Sequence, residues 1–160
     1  MLKDKKRIAT GIFSIYIAFV FVQSLFFKFT GSEETQNIFG TLDRWAFHEF
    51  GYKGLFLPPG IFNAYVIGSA ELVASALLLI GLFLKIRPLS FIGAFLAFCI
   101  ISGAITFHLF TPLGIEVNDD GGLLFSMACG VWVSAILIMT INLDALIKKL
   151  TMPVETTAEA

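Results

Sequence analysis

The sequence predicts an all-α fold, an integral membrane four-helix bundle with an external amphipathic segment between its first and second helices. Three observations carry that expectation. Of the 160 residues 57% are hydrophobic and 14% charged, and the mean hydropathy of +0.85 exceeds what a soluble chain of this size needs to fill a core. Four apolar windows, Ile8 to Phe27, Ile61 to Leu84, Leu89 to Phe110 and Gly122 to Leu143, are long enough to cross a hydrocarbon layer of about 30 Å at about 1.5 Å per residue. The bases alternate with the windows: Lys3, Lys5, Lys6 and Arg7 precede the first, Lys85 and Arg87 separate the second from the third, and Lys148 and Lys149 follow the fourth. By the positive-inside rule both termini are expected in the cytoplasm. Residues 1–150 are read as a single transmembrane domain and 151–160 as a disordered polar tail.

The first window has the basic start of a signal peptide, but its apolar run is longer than such a core and ends in SLFFKF without a small-residue cleavage site. It is expected to stay as a helix. Gln23 and Ser24 interrupt its apolar surface and Lys28 closes it; taken alone, a lysine there extends to the headgroups. Residues 30–60 form the longest connection, external by the charge rule. Within it, from Thr35 to Phe50, Ile38, Leu42, Trp45 and Ala46 recur at helical spacing, which predicts an amphipathic helix in the outer interface or capping the bundle. Trp45, Phe47 and Tyr52 suit an aromatic belt, and His48 reads as an interfacial bystander. Pro58 and Pro59 break the chain before it re-enters.

The second window carries Glu71 near its middle, where an ionisable group costs at least about 3 kcal/mol and normally faces protein or a water-filled cavity. Ala64, Gly68, Glu71 and Ser75 share one helical face, so Glu71 is expected to point into the bundle. Only Lys85 to Pro88 join the second and third windows, which makes them an antiparallel hairpin. On the third, Gly93, Ala97, Ala104 and His108 form a comparable face; on the fourth, Ser126, Gly130 and Ser134 form a ladder of small residues. For most of these residues close packing is explanation enough. Cys99 and Cys129 lie inside spans without ligand spacing, giving neither a disulfide framework nor a zinc site; a redox pair is the minor reading.

Direction brings the ionisable groups together. Helical side chains tilt toward their own N-terminus, so Lys28 and His108 lean inward from the outer rim and Glu71 leans outward to meet them. Three readings follow beside plain polar packing. At a redox site Lys28 or His108 would hydrogen-bond a quinone carbonyl, with Gln23 nearby, and Glu71 or His108 would pass protons. At a transport site Glu71 would accept a proton or cation from outside. The chain has no HExxH, no nucleotide loop and no CxxC, so a redox role needs a partner protein or a diffusible carrier. No metal site and no nucleic-acid partner is expected; Asp119 and Asp120 read as a solvated loop.

Through FVQSLFFKFTG, GSAELVASALLLIGLFLK and GAITFHLFTPLG followed by DGGLLFSMA, the sequence resembles the DoxX family of small four-helix bacterial membrane proteins. The resemblance runs over residues 8–147 and implies a four-helix bundle in the bacterial inner membrane. Some relatives are associated with quinone-linked sulfur oxidation or membrane redox complexes. Lys28, Glu71 and His108 fall at the family's polar positions, while the segment Thr35 to Phe50 is longer than the simplest pattern. The combined expectation is a redox-associated, quinone-interacting subunit with a polar pocket in the outer half of the bundle, working with a redox partner or as a homo-oligomer. A small-solute or proton transporter and a structural membrane partner are the alternatives.

Overall fold

The computed structural model describes residues 2–151 and contains five helices: α1 (Leu2–Thr30), α2 (Glu33–Phe50), α3 (Ala64–Phe83), α4 (Arg87–Phe110) and α5 (Leu123–Thr151). Four of them, all but α2, are long and apolar enough to cross a membrane, as the hydropathy windows require. The protein is a multi-pass, all-α membrane protein. Boundaries move where capping chemistry decides them. The basic leader is itself helical, as the first turns of α1. The third helix starts at Ala64 rather than Ile61, because the Asn63 side chain accepts from the amides of Tyr65 (2.8 Å) and Val66 (3.1 Å). Thr151 ends α5; the polar tail expected after it lies outside the described residues.

Neighbours in the bundle follow chain order, α1 against α3, α3 against α4 and α4 against α5, and α5 closes the ring on α1. Its core holds Ile17, Phe21, Ala74, Leu78, Ala97, Val131, Ala135 and Ile138. Small residues set the helix spacing. A Cβ on Gly93 would stand 2.9 Å from the backbone nitrogen of Leu78, so α3 and α4 touch nearly backbone to backbone there. Gly130 leaves room for the ring of Tyr16, whose hydroxyl donates to the Met127 carbonyl (3.3 Å). Gly93→Val should therefore lower the unfolding midpoint in detergent, at a cost of about 1 to 3 kcal/mol. Gly103→Ala, where a Cβ meets nothing within 4 Å, should leave the midpoint unchanged or slightly raised.

The segment between α1 and α3 forms a cap over one end of the bundle. Ser32 starts α2 by accepting from the Thr35 amide, and Gly51, at φ 74°, ends it in the left-handed conformation glycine tolerates. Its buried face is Thr35, Phe39, Leu42, Asp43 and Ala46, and it packs with Phe56, Ile67, Phe107 and Leu113 from the loops and ends of α3 and α4. Of the apolar face expected from spacing, Leu42 and Ala46 are buried, while Ile38 and Trp45 flank them half-buried. Phe47 and Tyr52 remain exposed. Asn37 on α2 donates to the Asn118 side chain (2.6 Å), fastening the cap to the loop between α4 and α5.

Candidate functional site

Ser24 and Lys28 lie one helical turn apart on α1, and both reach Glu71 on α3. The Lys28 ammonium stands 2.9 Å from each carboxylate oxygen and 2.7 Å from the Ser24 hydroxyl, which in turn donates to Glu71 Oε2 at 2.7 Å. The Glu71 residue is 5% exposed, so the carboxylate is removed from bulk surroundings and its charge is answered by three donated bonds. Gly68 makes this contact possible: a Cβ there would come to 3.0 Å from Phe29 and 3.3 Å from Leu25. The missing side chain lets α1 approach until lysine and glutamate meet. Ser75, on the same face, donates back to the Glu71 carbonyl and takes no part in the carboxylate network.

His108 is held apart from this pair. Near the end of α4 it is buried, packed edge-on against Phe125 with ring centroids 5.7 Å apart, and its Nδ1 lies 2.6 Å from the Gly114 carbonyl. A carbonyl only accepts, so Nδ1 carries the hydrogen and Nε2 is the free position. Lys28, Glu71 and His108 nevertheless border one cavity of about 780 Å³, together with Gln23 and Ser24. Gln23 makes no side-chain hydrogen bond among the described residues. The cavity walls are largely apolar, with Phe21, Phe27, Ile101, Gly103, Phe107 and Met127, and residues of α2 and Phe56 also line it. Its size falls in the range of small-molecule sites, about 300 to 1,000 Å³.

Two carboxylates that spacing left as loop and surface residues build the frame of this cavity. Asp43, buried on α2, accepts from the amides of Phe56 (3.0 Å) and Gly54 (3.2 Å) and so holds Phe56 in the cavity wall. Burial works against its charge, but the bonds from Phe56, Gly54 and their neighbours outweigh it and hold the carboxyl below its ordinary value. Asp120 accepts from Val117, Gly122 and Leu124 at 2.8 to 3.0 Å and caps α5. Burial opposes its ionisation too; the Leu124, Val117 and Gly122 amides and the charge of His108 lower its pKa. Signals for both were present: Asp43 sits between apolar positions of α2, and Asp120 precedes Gly-Gly and an apolar run.

The model of the DoxX family matches residues 12–110, the stretch that supplies Ser24, Lys28, Asp43, Glu71 and His108. The chain belongs to the DoxX family. The match runs from residue 12, inside α1, to the end of α4, so in this DoxX protein α5 and its cap Asp120 lie beyond it. No curated protein and no solved structure matches the chain. Cys99 is exposed and Cys129 half-exposed, both as free thiols, and among the described residues no cluster of three or more His, Cys, Asp or Glu side chains is placed to hold a metal ion.

Proposed function

We propose that this DoxX protein is a redox-associated inner-membrane subunit whose cavity receives the ring of a membrane quinone, with both termini in the cytoplasm. The observation that carries the reading is His108: a buried imidazole, its Nδ1–H committed to Gly114, bordering a large apolar cavity with Nε2 uncommitted. Neutral, that nitrogen accepts a hydrogen bond from a ring hydroxyl; protonated, it donates to a ring carbonyl. Gln23 offers a second, uncharged contact. Lys28 has its donors engaged by Ser24 and Glu71, so its part is to hold the carboxylate. A quinone supplies two-electron, two-proton chemistry, and the electrons come from a partner protein or a diffusible carrier.

Gly103 allows a test that does not disturb packing. It borders the cavity, and a Cβ there meets nothing within 4 Å, so Gly103→Leu starts its side chain in open space. Protein purified in mild detergent should retain extractable quinone and bind a short-tailed analogue. Gly103→Leu should weaken that binding at least about tenfold, or about 1.4 kcal/mol, with an unchanged unfolding midpoint. Equal binding by both proteins would remove the quinone reading. The completeness of the Lys28–Glu71–Ser24 network favours a second reading, a structural partner that uses the pair only to join α1 to α3. The orientation has its own check: a reporter fused after Lys149 should be active only in the cytoplasm, and one inserted near Gly31 only outside.

A further inference from the structure

At the opposite end of the bundle, where α1 begins and α5 ends, a second cavity of about 260 Å³ opens among Lys6, Arg7, Lys85 and Arg87. One carboxylate, Asp4, also borders it. Its floor is polar and buried: Thr10 is 6% exposed, Ser90 2% and Asn142 1%. Asn142 and the Arg87 beside it are already satisfied. Arg87 donates through Nε to Asn142 (3.0 Å) and through its terminal nitrogens to the Ile141 carbonyl and to Asp144. Asn142 donates to Thr10 (3.2 Å) and to the Ile138 carbonyl.

What remains is hydroxyl donors and a majority of bases, of which Lys6 also lies near the Asp144 carboxylate. Thr10 accepts from Asn142 but its hydroxyl donates to no described residue, and the Ser90 hydroxyl has no partner among them. Ser90 lines the cavity, and its hydroxyl is available to donate to an acceptor there. Gly81 contributes by having no side chain, since a Cβ on it would meet Ser90 Oγ at 2.6 Å. Lys6, Arg7 and Lys85 are exposed around the rim. Free O–H donors at the base and an excess of cations above them define a receptor for a compact anion with several acceptor oxygens. The level is that of headgroups, because the apolar part of α1 begins only at Ile8 and Lys85 stands in the turn between α3 and α4.

We propose that this cavity binds a phosphate-bearing anion, either a phospholipid headgroup or a free phosphate. The inference rests on these residues alone and is independent of any quinone chemistry at the other end.

The test uses the full chain in phosphatidylcholine nanodiscs, titrated separately with short-chain phosphatidylglycerol and with inorganic phosphate. Two variants remove equal charge from the same end: Lys6→Gln with Lys85→Gln inside the cavity, and Lys5→Gln with Lys148→Gln outside it. The cavity pair should weaken binding at least about tenfold, the outer pair by less than about threefold, with matching unfolding midpoints before titration. Ser90→Ala, which keeps every charge, should also weaken binding without changing its dependence on ionic strength. Saturation by the lipid alone assigns the site to a headgroup, and saturation by inorganic phosphate assigns it to a soluble anion. Saturation by neither, or equal weakening by both pairs, overturns the proposal.

Discussion

Glu71→Gln should lower the stability of the detergent-solubilised protein by about 3 to 5 kcal/mol, because it leaves the Lys28 ammonium buried against α3 without its counter-charge. The Lys28 side chain is 16% exposed and that of Glu71 7%, so little solvent is at hand to replace the lost partner. Lys28→Met as a second change should restore much of the loss, since no unpaired charge then remains at the cavity edge. Thermal unfolding of the two single variants and the double variant gives the coupling directly. The same double variant separates packing from chemistry. With Glu71 as a proton-transfer group for the cavity, it folds well yet has no quinone-linked activity at any pH. A stable double variant with full activity would leave only the structural role of the pair.

Asp43→Ala should cost about 2 to 4 kcal/mol, since two backbone amides lose a charged acceptor and that of Phe56 lies in a buried site. The loss should be felt in the cavity as well, because Phe56 borders it and is placed by this carboxylate. Asp43→Asn, which can still accept, should lose less. Acid should discriminate between these variants. The folded-state pKa values of Asp43 and Asp120 lie below the ordinary 3.8, so the stability they contribute is present above that value and drains away as pH falls through the lowered ones. Raising the pH further should add nothing from this source. Stability profiles below pH 4 that are equally steep for wild type and Asp43→Ala would show that the carboxylate is not holding the loop.

The membrane character of the chain, its four spanning helices and the inward face of Glu71 were all legible in one dimension. Apolar length is a local property, and a carboxylate amid apolar residues has few tolerable orientations, with Gly68 and Ser75 marking the face it must take. Lys28 was ambiguous by itself, since a lysine closing a helix reaches headgroups as readily as a partner. Gly68 decided it by admitting α1 close enough for the ammonium to reach the carboxylate.

Other features depended on contacts between segments far apart in the chain, which no periodicity records. Lys28, Glu71 and His108 were expected to converge, and they do share a cavity, but His108 bonds to Gly114 while Ser24 completes the ion pair. Asp43 looked like one charge among several on an amphipathic helix until the loop folded back to present the amides of Gly54 and Phe56. The basic end follows the same logic. Lys6, Lys85 and Arg87 announced an orientation through their charge alone, whereas the cavity between them is formed where Gly81 and Ser90 bring α3 and α4 into contact. Sequence determined which segments cross the bilayer and which charges need partners, because the cost of burying a charge applies wherever the chain goes. Tertiary structure decided which partners they take, because a hydrogen bond forms only between groups that packing brings within about 3 Å.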